Sequence, residues 1–242
     1  MPWRTFIIVA ARDEADRVGT TLAALTLAFP EAKTWVADDG SRDATGEVAR
    51  RSGARVVRSP RPIGKGGAVT VAAREALLDA RASGPGGERE AVFVLCDGDL
   101  GSSAAELRRL VEPVCDRQAD LAVAAFRRRA GGGFGIAVAF ARWAIRRRCG
   151  YVASAPISGQ RALSAGSLED VLPFAQGFGM EVGMTIDAVR AGHRVLELEL
   201  DLAHRATGRS LAGFVHRGRQ LADFARAYLS RRQAATARPP RC

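Results

Sequence analysis

The stretch Ala91–Cys96 (AVFVLC) carries no charged or hydrogen-bonding side chain beyond its terminal thiol. A strand apolar on both faces has to be covered on both faces, which places it inside a parallel sheet between helical layers. The surrounding sequence supplies those layers. Short apolar runs at Thr5–Ala10, Lys33–Ala37, Ala54–Arg58 and Leu121–Phe126 alternate with helical spacing over Glu14–Ala28, Asp43–Ser52 and Gly67–Ala82. Ser83–Gly87 (SGPGG) breaks the third helix, and Ser103 with Glu106 forms a capping-box pair that opens another. The alternation predicts an α/β fold with a mostly parallel, doubly wound sheet. Ligands on such sheets bind beyond the carboxyl ends of the strands. The loops after Ala10, Ala37, Arg58 and Cys96 are therefore where chemistry is expected.

The second half is less regular. An amphipathic helix is expected over Phe134–Arg148, a short strand over Ile157–Leu163 and a helix over Met180–Ala191. Val195–Leu202 alternates Leu with Glu or Asp, the pattern of a half-exposed strand near a sheet edge. A second amphipathic helix is expected over Leu211–Leu229, followed by a loose tail. These patterns divide the chain into a catalytic unit over residues 1–204 and a basic loop, helix and tail over 205–242.

Charge is unevenly distributed. The net charge is +10; residues 205–242 hold nine Arg and one acid, Asp223, for +8, which leaves +2 on the first 204 residues. Between Asp120 and Glu169 there are eight Arg and no carboxylate. Basic surfaces on a near-neutral body suggest an anionic partner, although the preference for Arg over Lys (34 against two) also fits GC-rich coding. A hydrophobic fraction of 47% excludes wholesale disorder. No apolar segment reaches the length of a membrane span, and Met1–Arg4 does not read as a secretory leader. Cys96, Cys115, Cys149 and Cys242 form no CxxC pair, and His193, His204 and His216 lack zinc spacing, so a reducing cytosol is the expected compartment. A nucleic-acid-binding role fits poorly, because aromatics are only 6% and acids cluster at the sheet's carboxyl edge.

Three segments carry candidate chemistry. Asp97-Gly98-Asp99 leaves the most apolar strand with two carboxylates one residue apart, a hard-oxygen pair suited to Mg²⁺ or Mn²⁺ shared with phosphate oxygens; an ordinary solvated turn has the same composition. Asp38-Asp39 precedes Gly40, with Asp43 as a helix cap, and could accept hydrogen bonds from a base and ribose. Gly64-Lys65-Gly66-Gly67 opens a helix and could approach a phosphate, but it lacks the P-loop spacing. No GxGxxG follows the first strand.

The ordered set IIVAARDEA, WVADDGSRDAT, IGKGGAV, VLCDGDLG, ISGQRAL and HRATGRS resembles family-2 glycosyltransferases of GT-A fold, within which it is similar to the polyprenyl-phosphate (dolichyl-phosphate) hexosyltransferases. The likeness spans roughly Thr5 to Ser210. It implies the nucleotide-diphospho-sugar transferase fold with a C-terminal amphipathic helix. It implies that Ala10, Arg12, Glu14, Asp38, Asp39, Lys65, Asp97, Gly98, His204, Arg205 and Ser210 hold the nucleotide-sugar, and that Asp97 and Asp99 hold Mg²⁺ or Mn²⁺. Catalytic roles fall to Asp99, to Arg161 near the phosphates or acceptor, and to Glu181 as the base a hydroxyl acceptor would need. The family usually has Pro, Tyr and Asn where this chain has Ala10, Arg12 and Asp13, and Gln where it has Gly101.

The expected activity is metal-dependent, inverting transfer of a hexose from a UDP- or GDP-sugar to a polyprenyl phosphate at an anionic membrane surface. The enzyme would be cytoplasmic or peripheral at the inner face of the membrane. A soluble phosphorylated acceptor is the first alternative. A sugar nucleotidyltransferase is the second, although Ala10–Glu14 has no glycine.

Overall fold

Residues 3–82, 90–126, 135–177, 179–202 and 226–230 are described by the structure, a computed structural model. Its strands are β1 (Arg4–Ala11), β2 (Lys33–Asp38), β3 (Arg55–Arg58), β4 (Ala91–Asp97), β5 (Leu121–Phe126), β6 (Arg161–Ser164) and β7 (Val195–Leu200). They form one sheet in the order β3-β2-β1-β4-β6-β5-β7. β6 runs antiparallel to β4 and β5, and the other pairings are parallel.

The alternation of side chains across the pleat splits the core into two layers. On one face Phe6, Ile8, Phe93 and Leu95 pack against α3 (Lys65–Ala82), α6 (Ala165–Val171) and α7 (Gly179–Arg190). On the other face Ile7, Val9, Val92, Val94 and Cys96 pack against α1 (Val18–Ala28), a 3-10 helix at Gly101–Leu107 and α4 (Arg108–Cys115). Every residue of β4 from Ala91 to Cys96 is buried, as its wholly apolar sequence requires. α2 (Thr45–Arg51) joins β2 to β3, and α5 (Gly135–Cys149) packs beside α7 through Ala141, Ala144, Ile145, Val182 and Ile186.

Several local expectations change. The first helix starts at Val18 rather than Glu14, because Asp13 adopts a positive φ and Glu14 O instead accepts the amides of Arg17 and Val18 in a turn. The Ser103–Glu106 pair does not cap a helix: Ser103 Oγ donates to Leu100 O inside the 3-10 helix. The strand expected from Ile157 begins only at Arg161, since Ser158 and Gln160 are spent on side-chain contacts in the loop before it. α6 was not anticipated; its cap is Ser164, whose Oγ accepts from Ser167 N at 3.2 Å. β7 is an edge strand, as the alternation predicted, and ends at Leu200.

Of the C-terminal helix expected over Leu211–Leu229, residues 226–229 are described and are helical, as is Ser230 beyond them; the remainder, and the boundary set at 204, lie outside the described residues. Tyr228 of this segment stacks on Trp143 of α5 with ring centroids 5.1 Å apart. Among the described residues no helix is long and apolar enough to cross a membrane.

Candidate active site

Strand order reverses between β1 and β4, so the loops leaving β1, β2 and β4 diverge around one crevice at the carboxyl edge. β6, being antiparallel, brings its amino end, Arg161, to the same edge opposite Leu95. The β4 loop is fixed from below. Gly98 N donates to Ala10 O at 2.9 Å. Fully buried Thr21 of α1 donates to Gly98 O at 2.8 Å and accepts from Gly101 N at 2.9 Å. Thr21→Val keeps the shape and removes both bonds, leaving a buried carbonyl and amide unpaired. It should cost about 1–3 kcal/mol of stability, read as a fall in denaturation midpoint at unchanged slope; an unchanged midpoint would show that the loop does not depend on this anchor.

Asp97, Lys65 and Glu181 meet above that loop. Lys65 Nζ lies 2.6 Å from Asp97 Oδ1 and 2.8 Å from Glu181 Oε1. Burial pulls the ammonium's pKa down, but the two carboxylates outweigh it and the net displacement is upward. The second Asp97 oxygen accepts from Gln160 Nε2 at 2.8 Å, and Gln160 is itself buried. Gly159 makes room for the group: a β-carbon there would sit 2.6 Å from Lys65 Nζ and 2.9 Å from Asp97 Oδ2.

The acids after β2 have separate partners. Asp39 Oδ1 accepts the amides of Ile63 and Gly64 at 2.7 and 3.0 Å, so this carboxylate clamps the entrance to α3. Arg12, half exposed, reaches Asp39 Oδ2 at 3.9 Å. Asp38 is fully buried; Oδ1 accepts from Ser41 N at 2.8 Å, while Oδ2 has no hydrogen-bond donor among the described residues and stands 3.6 Å from Arg58 Nε. Glu14 N donates to Thr45 Oγ1 at 2.8 Å, and Asp43 bridges Ala15 N and Thr45 N, tying the first loop to the second.

Arg161 does not line the crevice as an open side chain. It is 1% exposed, Nε donates to Ser158 O at 2.9 Å, Nη1 donates to Thr185 Oγ1 at 3.0 Å, and Nη2 is buried without a partner among the described residues. Burial lowers its pKa to about 10, against the pull of Glu181 and Glu197. It supports the floor of the site between β6 and α7.

Asp97 and Asp99 fit a hard divalent cation on one specific ground. Asp99 Oδ1 is buried and has no hydrogen-bond partner among the described residues, a cost normally avoided unless another ligand satisfies the oxygen. Among the described residues no group of three or more His, Cys, Asp or Glu side chains converges, so phosphate oxygens or residues outside that set would complete the coordination. His204, Arg205 and Ser210 lie outside the described residues. The structure thus brings Ala10, Lys65, Asp97, Gly98 and Glu181 together, and places Arg12 in the loop after β1 and Asp38 and Asp39 at the end of β2. It adds Thr21, Gly159 and Gln160, which the sequence reading missed.

Residues 6–164 match the model of Glycosyl transferase family 2. An undecaprenyl-phosphate mannosyltransferase of Micrococcus luteus is 30% identical over 224 residues, covering 86% of this chain and 86% of that protein. An uncharacterised glycosyltransferase of Mycobacterium tuberculosis is 27% identical over 226 residues, covering 90% and 94%. Among solved structures, glucosyl-3-phosphoglycerate synthase from Mycobacterium tuberculosis in complex with phosphoglyceric acid superposes with a TM-score of 0.72 at 25% identity, over 94% of this chain and 79% of that one. The same synthase with Mn²⁺, UDP and glucosyl-3-phosphoglycerate gives 0.70 at 26% identity over the same shares.

Proposed function

Because the chain belongs to glycosyl transferase family 2 and has the GT-A fold, we propose that this glycosyltransferase moves a hexose from a UDP- or GDP-sugar to a polyprenyl phosphate, with inversion and with Mg²⁺ or Mn²⁺. The observation that carries the acceptor assignment is the engagement of Glu181. A hydroxyl acceptor needs a base, and Glu181 is the carboxylate best placed to be one, yet it holds the Lys65 ammonium at 2.8 Å. That contact commits a Glu181 oxygen to an ammonium in place of an acceptor hydroxyl. A phosphate monoester, with a second pKa of about 6, is already ionised near neutral pH and needs positioning rather than deprotonation. The relationship to the Micrococcus luteus mannosyltransferase supports the same acceptor class.

In this reading a phosphate oxygen of the acceptor attacks the anomeric carbon, the bond from that carbon to the donor's diphosphate breaks, and the nucleoside diphosphate leaves. Asp97 and Asp99 would hold the metal, which when bound supplies positive charge at the leaving diphosphate. Asp39 fixes the amides of Ile63 and Gly64 and thereby aims the positive end of α3 into the crevice. Thr21 and Gln160 hold the two ends of the Asp97–Asp99 loop in place.

The experiment is a transfer assay with labelled UDP- and GDP-hexoses, Mn²⁺, and either undecaprenyl phosphate or 3-phosphoglycerate as acceptor. Label in the lipid extract is the expected result. Label confined to 3-phosphoglycerate would replace this reading with the second one, a soluble phosphorylated acid, which the likeness to glucosyl-3-phosphoglycerate synthase favours.

A lipid acceptor places the enzyme at a membrane surface, on its cytoplasmic side. Much of the apolar stripe of α5 belongs to the core: Ile145 is fully buried and Phe140 packs against the same cluster. What faces outward is narrower, namely Trp143 at 50% exposure followed on the same helical face by exposed Arg146 and Arg147, with Leu229 at 53% nearby. A half-exposed Trp beside two guanidinium groups suits the headgroup layer of an anionic bilayer. Each basic residue there is worth about 1 kcal/mol. Arg146→Glu with Arg147→Glu should therefore weaken co-sedimentation with anionic vesicles by at least about tenfold at low salt. Parent protein that sediments with neither anionic nor neutral vesicles would sink the surface assignment.

A further inference from the structure

We infer that Lys65 is an exchangeable counter-ion: a divalent cation taking Asp97 displaces its ammonium from that carboxylate, and the ammonium, still paired with Glu181, turns to the donor's diphosphate, coupling the two binding events. The inference rests on the reading of Asp97 and Asp99 as the metal carboxylates.

Both oxygens of Asp97 are engaged, Oδ1 by Lys65 at 2.6 Å and Oδ2 by Gln160 at 2.8 Å. A cation binding through Asp97 has to share or displace one of these donors, and a divalent charge a few ångströms from an ammonium is strongly repelled. Gln160 cannot easily leave. It is 1% exposed, its Oε1 accepts from Ser158 Oγ at 3.3 Å, and its carbonyl accepts from Ala124 N at 3.0 Å. Lys65 can leave. Its side chain is 25% exposed and ends a flexible four-carbon stem at the first residue of α3.

Lys65 also has little room to step back within the site, because even a single β-carbon on Gly159 would lie 2.6 Å from Nζ. Its way out is toward the open crevice, where the positive end of α3 already favours an anion. There a diphosphate offers the ammonium a replacement for Asp97. The cation frees Lys65 for the diphosphate, and the diphosphate removes Lys65 from the cation's ligand. Linkage makes this coupling reciprocal: each ligand tightens the other by the same factor.

The test measures Mn²⁺ binding by electron paramagnetic resonance of the free ion, with and without UDP, in the parent protein, Lys65→Met, Lys65→Gln and Asp97→Asn. Melting temperatures identify which variants remain folded. Lys65→Met and Lys65→Gln should each bind Mn²⁺ alone at least about tenfold more tightly than the parent, and the tightening produced by UDP should shrink in both. If folded Lys65 variants bind Mn²⁺ no more tightly than the parent while Asp97→Asn loses it, the counter-ion inference is wrong and the metal assignment stands. If Asp97→Asn binds Mn²⁺ as the parent does, the metal assignment itself falls and the inference with it.

Discussion

Asp99→Ala should abolish metal-dependent nucleotide binding and leave the protein at least as stable as its parent. The two halves of that result have one cause. Asp99 follows the most apolar strand, in a loop pinned by Gly98 and Thr21, and its Oδ1 is buried without a donor among the described residues. An unsatisfied buried acceptor costs about 1–3 kcal/mol, so removing it relieves the fold. The same oxygen is the one best prepared to meet a cation, and losing a charge-stabilising contact of this kind typically lowers turnover about 10²–10³-fold. Titration calorimetry with UDP, with and without Mn²⁺, reads the first half, and a melting curve reads the second. Nucleotide affinity and Mn²⁺ dependence surviving in both Asp97→Ala and Asp99→Ala would show that this pair is not the metal site.

The parallel part of the sheet was legible because its strands are short, apolar and separated by helical spacing, and burial of β4 on both faces follows from its composition alone. β6 was expected as a strand over Ile157–Leu163, but its antiparallel place in the sheet was not legible. Its four residues insert between β4 and β5 through contacts made far along the chain, and no local pattern gives their direction. The same contrast runs through the site. Carboxylates at strand ends stand out in a sequence because little else puts paired acids beside apolar runs. Gln160 and Thr21 do not stand out, since their roles come from partners 63 and 77 residues away. Asp39 and Arg161 show the limit differently. Asp39 was read by residue type and Arg161 from the family resemblance as ligand contacts, and the fold gives each a structural partner as well: Asp39 holds the amides of Ile63 and Gly64, and Arg161 is buried against Ser158 and Thr185. A charged side chain near a site can serve the backbone that builds the site, and only the tertiary contacts distinguish the two uses.

Gly66→Ala should unseat that backbone. A β-carbon at Gly66 would lie 1.8 Å from Ala175 O and 2.9 Å from its carbonyl carbon, so the obstacle is main chain and cannot rotate away. The loop it meets is fastened to α3 at the same level: Phe174 N donates to Thr70 Oγ1 at 3.1 Å, and that hydroxyl donates to Gly66 O at 2.6 Å. Relief requires α3 or the loop to shift. The loop leads into α7 and hence to Glu181, while Gly66 adjoins Lys65, so either shift strains the Lys65 bridge between Asp97 and Glu181. Overpacking of this kind costs about 1–3 kcal/mol, which in a chain of this size lowers the melting temperature by roughly 2–12 °C. Donor turnover should fall with it, by about tenfold or more. Gly166→Ala is the matched control, because a β-carbon there has no atom within 4 Å and Gly166 lies inside α6. Alanine in an open helical position should raise stability by up to about 1 kcal/mol. A Gly66→Ala protein that melts and turns over like its parent would mean that α3 does not dock on Ala175 at this distance, and that Lys65 is held by something other than the packing beneath it.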